Sequence, residues 1–138
     1  MFDKKYEDRL RKWKCFRDSL EFSNDPIQNV LDFYKDVAKV RINVDPYTEE
    51  TWPNPWELLK EDVYCEFSKL LGICYTLQLT DRFSQSHFEI HIRQDSENSQ
   101  IRYLLIVDGL VIDQNGILPK KIIETSQLER EFVMPTLQ

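Results

Sequence analysis

The chain has 138 residues, of which 41% are hydrophobic and 12% aromatic, with only three glycines. That is enough apolar material for one core that buries roughly two thirds of the unfolded surface, and it excludes a low-complexity or disordered chain. A net charge of −6, from 18 basic and 24 acidic residues, disfavours unspecific attraction to nucleic acid, whose phosphates need a positive footprint.

Tyr6, Leu10, Trp13, Phe16 and Leu20 recur at helical spacing and predict an amphipathic helix over about residues 4 to 21. Its basic residues, among them Lys4, Lys5, Arg9 and Arg11, alternate with acids and read as a solvated face. Ser23-Asn24-Asp25 then offers capping side chains before Pro26, opening a second helix to about Ala38 with Ile27, Val30, Leu31, Tyr34 and Val37 as its buried stripe. Val40, Ile42 and Val44 alternate with polar residues as a short strand does. In Trp52-Pro53-Asn54-Pro55-Trp56, Asn54 caps a third helix starting at Pro55. Either this helix runs on to about Thr80, as the stripe reaching Leu77 favours, or it stops near Gly72 and Ile73 to Leu79 form a strand.

From Ser86 the period becomes two. Phe88, Ile90 and Ile92 alternate with His87, Glu89, His91 and Arg93, and Tyr103 to Val107 is a β-branched apolar run. The polar stretch from Asp95 to Gln100 reads as a hairpin loop, and Gly109 and Asn115-Gly116 mark further turns. The whole chain is therefore expected to be one α+β domain. Helices over about 1 to 80 pack on an antiparallel β-meander over about 86 to 118, and a tail from 119 docks as an extended segment. No apolar run is long enough to span a membrane, and the first residues lack the apolar stretch of a secretory signal. Three cysteines without CxxC spacing suggest neither disulfides nor structural zinc, so a soluble, cytoplasmic protein is expected.

A hairpin turning about Glu97 and Asn98 puts His87 opposite Asp108 on one side of the sheet, with Cβ atoms roughly 4.5–5.5 Å apart. A carboxylate so placed orients a histidine base, and Cys65 is the cysteine placed to be the nucleophile. The alternative readings are a buried packing cysteine, a strand-entrance histidine and a turn aspartate. His87, Glu89 and His91 share a strand face, with neighbours about 6.6 Å apart along it, so His87 with Glu89, or Glu89 with His91, could share an ion, but all three together span too far. Neither metal nor cofactor is expected. Trp52 and Trp56, stiffened by prolines, form either a core lid or an anchor for a protein partner.

Tyr64-Cys65-Glu66-Phe67, His87-Phe88-Glu89-Ile90 and Ile106-Val107-Asp108 carry, in that order, a pattern that resembles the transglutaminase-like branch of papain-type cysteine enzymes. It covers about Trp56 to Asp108, with Tyr64 where the family commonly has glycine. The resemblance implies amide hydrolysis or acyl transfer, with Cys65 attacking, His87 as base and Asp108 orienting. The Asp25-Pro26-Ile27 helix start, the run from Trp52 to Leu59 and the block from Tyr64 to Phe67 resemble small proteins of tailed bacteriophages. That likeness implies a virion or accessory role in the infected cell, with protein partners that include virion components or a second copy of the chain. The leading expectation is a non-catalytic interaction or structural module, and the thiol enzyme is the alternative.

Overall fold

The structure, a computed structural model, describes residues 6–137. Helix α1 spans Tyr6–Ser19 and passes through a 3-10 turn, Leu20–Phe22; the expected start at residue 4 lies outside the described residues. Its basic face is not wholly solvated. Arg9 is buried and donates to the carbonyls of Lys60 and Glu61, both at 3.2 Å, and to the Asp62 carboxylate.

Helix α2, Pro26–Tyr34, begins as its sequence dictates, with the Asp25 carboxylate accepting Gln28 N–H and Pro26 in the first turn. It stops short of Ala38, because Ala38–Lys39 (β1) pairs in parallel with Val63–Tyr64 (β2). The strand expected over 40 to 44 does not form. The Asn43 side chain instead bridges to the β2 segment, donating to Val63 O at 2.9 Å and accepting from Cys65 N–H at 3.2 Å.

The expected third helix is two helices. Helix α3, Pro55–Leu59, opens on a capping box in which Asn54 and Glu57 exchange backbone and side-chain bonds. The guanidinium of Arg9 takes up the carbonyls at its end, so the chain can leave the helix without stranding them. After β2, α4 runs Glu66–Gln78, straight through Gly72. Of the two alternatives the later end, near Thr80, is the one observed, although the helix that reaches it starts at Glu66 and not at Pro55, and no strand occupies 73 to 79. Gly72 serves packing: a Cβ there would lie 2.8 Å from the Tyr34 ring. Tyr34 O–H and Trp13 Nε1–H both bond Thr76 Oγ1 at 3.0 Å, and Thr76 donates to Gly72 O. One hydroxyl thereby joins α1, α2 and α4 with its capacity filled.

The rest is a five-stranded antiparallel sheet, formed by β3 (Phe88–Asp95), β4 (Ile101–Val107), β5 (Leu110–Asp113), β6 (Gly116–Leu118) and β7 (Ser126–Val133). The spatial order is β6-β5-β4-β3-β7. The tail docks as β7, which returns past a short helix, α5 (Lys121–Glu124), to pair with the far side of β3. Asp108 (φ 48°) and Gly109 (φ 87°) form a two-residue turn with both φ positive, the type I′ geometry for which Asp-Gly is suited. One sheet face, with Phe88, Ile90, Leu105, Val107 and Ile112, packs on the helices. Phe67 meets Tyr103 edge-on at 5.4 Å, joining α4 to β4. The fold is α+β as expected, and no helix among the described residues is long and apolar enough to cross a membrane.

Candidate functional site

Cys65 is the N-cap of α4, with its Sγ accepting Ser68 N–H at 3.4 Å while Ser68 Oγ accepts Cys65 N–H at 2.9 Å. Burial raises the thiol's pKa. Hydrogen bonds from the Ser68 side chain and from the backbone N–H groups of Asn43, Ser68 and Val44 outweigh that effect and hold it below 9.0. The sulfur therefore has an acidic setting but little access, since the residue is 3% exposed. A shallow recess of about 120 Å³, lined by Arg41, Phe67 and Tyr103 among others, borders it. Cys74 is buried, which raises its pKa, and Cys15 is exposed.

His87 and Asp108 do face each other, since Phe88 pairs with Val107. Their bonds are made by the backbone: His87 N–H donates to Asp108 Oδ1 at 2.8 Å and Asp108 N–H to His87 O at 2.9 Å. The carboxylate, its pKa lowered by the His87 amide and the Ser86 side chain, fixes the start of β3 and leaves the imidazole to Glu89. Cys65 does not join them. It lies at the Tyr103 end of β4, five residues from Asp108 and so about 16 Å along the strand. His87 also points to the sheet face opposite the helices, where its Nε2 meets Glu89 Oε2 at 2.8 Å. The three residues of the expected triad are thus divided between two faces.

That outer face carries a polar network in place of a triad. Arg93 Nε–H donates to His91 Nδ1 at 3.1 Å, and His91 Nε2 meets Glu89 Oε1 at 2.9 Å and Glu131 Oε1 at 3.6 Å. Hydrogen bonding to His91 holds the Glu89 carboxyl down at about 2, with Glu131 and His87 adding to the effect and burial opposing it. Glu89, His91 and Glu131 bring one ligand atom each within 4.8 Å of the others. Arg93 decides what they can do. An arginine donor on Nδ1 requires a lone pair there, so the ring proton of the neutral imidazole sits on Nε2 and faces the carboxylates. A metal-bound histidine has the reverse arrangement, with a lone pair toward the ion and its other nitrogen donating to an acceptor. The set is a hydrogen-bonded clamp between β3 and β7. Sequence parity shows Arg93 on this face, whereas Glu131 is brought in by a pairing 40 residues away that leaves no local signal.

The two tryptophans separate. Trp52 is a lid: its ring meets Phe67 at 5.0 Å and Phe132 at 4.7 Å, and its Nε1–H donates to Asp45 O at 2.9 Å. Trp56, in the first turn of α3, is 43% exposed. Beside them a groove of about 270 Å³ is lined by Trp52, Pro53, Pro55, Tyr75, Met134 and Leu137. Tyr75 O–H bonds Pro53 O at 2.7 Å, fixing the proline segment to α4. Glu49 and Glu57 add carboxylates to the lining, and among the described residues no lysine or arginine is part of it. Tyr75 and Met134 were hidden in the sequence as ordinary core residues. Neither a protein-family model nor a curated protein sequence matches the chain.

Proposed function

We propose that the chain is a non-catalytic protein-interaction module that docks a partner on the groove of Trp52, Pro53, Tyr75 and Met134, with the exposed Trp56 of α3 as a further anchor. The observation that carries this reading is an apolar groove with a rigid proline wall, formed in part by Pro55 and Glu57 of α3, the helix whose first turn also carries the exposed Trp56. Aromatic side chains of this kind supply much of the energy of interfaces, because they lose little entropy and shed much water. Among the described residues, the charges in the lining are the carboxylates of Glu49 and Glu57. A suitable partner segment is therefore apolar and extended, with lysine or arginine at its flank. The resemblance to small phage proteins implies a partner among virion proteins or proteins of the infected cell.

Selection of a random peptide library on the immobilised protein tests the proposal, with Trp56→Glu as the control surface. Enrichment of apolar sequences flanked by basic residues, lost on Trp56→Glu, is expected. No enrichment, or enrichment that survives the substitution, would contradict it.

A further inference from the structure

Lys69 lies in the first turn of α4, where the aligned peptide dipoles disfavour a cation. It is only 4% exposed, yet no hydrogen bond or ion pair engages its Nζ among the described residues. Burial and the ammonium of Lys39 both lower its pKa, and the carboxylates of Asp113, Asp36 and Glu66 offset this only in part. The stem of Lys69 is thus packed, while its unpaired ammonium opens on the adjoining cavity.

The side chain lines a cavity of about 410 Å³ between α2, β1, α4 and the β5–β6 turn. Lys35 and Lys39 bring two more ammonium groups, and Gln28, Gln114 and Asn115 bring amides. Asp32 and Asp36 are the carboxylates of the lining, leaving it with one net positive charge in a chain of −6. None of these residues belongs to the groove of Trp52, Tyr75 and Met134.

We propose that this cavity is a second binding site, for a phosphate monoester of a small polyhydroxy molecule. The phosphoryl group sits against Lys69 and Lys39, and the hydroxyls reach the amides and the carboxylates. The lining cations are all lysines, compact point charges that suit a tetrahedral dianion. Arginine, which matches a planar carboxylate with two parallel bonds, is not among them in the described residues. The volume lies within the roughly 300–1,000 Å³ of small-molecule sites, more than a bare phosphate fills. Asp32 and Asp36 accept hydroxyls but repel a second anionic group, so one charged group with a neutral remainder fits better than a polyanion.

Amide-resolved NMR titration of the whole chain tests this with glycerol 3-phosphate, inorganic phosphate and acetate, on the wild type, Lys69→Met and Lys39→Gln. Shifts confined to Lys35 to Lys39, Lys69, Gln114 and Asn115 are expected, with glycerol 3-phosphate binding more tightly than phosphate and acetate giving none. Lys69→Met should weaken binding by about tenfold or more. Lys39 is exposed, so Lys39→Gln leaves the core untouched and should weaken binding independently of any folding effect. Absence of shifts with both phosphates, equal response to acetate, or affinity unchanged in both variants would overturn the proposal.

Discussion

Glu89 shows how one side chain can join two strands and also make stability depend on pH. Its carboxylate receives His91 and His87 from its own strand and lies beside Glu131 of β7. These bonds move its pKa from 4.5 to about 2. Because the folded value is the lower one, the stabilisation is complete above about pH 4.5 and is lost as pH falls toward 2. Thermal unfolding of wild type and Glu89→Gln should show a constant gap in Tm above about pH 5 that closes toward about pH 2. A gap independent of pH would mean that the carboxylate's charge does no such work. Cys65 illustrates the opposite relation between chemistry and use. Its thiol is made more acidic by the amides around the α4 N-terminus, but those same amides are what an N-cap must satisfy, and the sulfur is buried in satisfying them.

At the scale of elements, packing decides matters that propensity leaves open. Gly72 interrupts an apolar stripe and is a poor helix former, so the sequence leaves the end of α4 ambiguous. The helix continues because the Tyr34 ring needs the space, and Thr76 holds that ring from its hydroxyl end. Gly72→Ala should therefore lower stability by about 1–3 kcal/mol in urea unfolding, although alanine favours the helix by roughly 1 kcal/mol. A more stable variant would show that Tyr34 moves aside freely. The break between α3 and β2 has a comparable cause. Arg9, some 50 residues earlier in the chain, accepts the role of capping α3, and nothing local to Lys60-Glu61-Asp62 announces it. By contrast, the β3–β4 register was legible, because alternation on both strands and a polar loop between them admit one pairing. The same arithmetic correctly opposed His87 and Asp108. It carried no information about Cys65, whose position depends on how α4 lies across the sheet, nor about which atoms of Asp108 and His87 would bond.

For the whole molecule, helices cover one sheet face and a polar clamp lies on the other. The proline segment before α3 and the end of the tail after β7 are far apart in sequence, so the groove they form with Tyr75 could not be read from any single stretch. Only its tryptophans and prolines stood out. The fold divides their roles, giving Trp52 to the core and Trp56 to the surface. Trp13 provides an internal reference, being buried in the helical layer with its indole N–H on Thr76. The most direct measurement is therefore the indole ¹H–¹⁵N spectrum of the three tryptophans during titration with a selected apolar, basic-flanked peptide. Docking on the groove predicts that the Trp52 and Trp56 signals shift while Trp13 stays in place. Unmoved Trp52 and Trp56 signals, or a Trp13 shift as large as theirs, would contradict it.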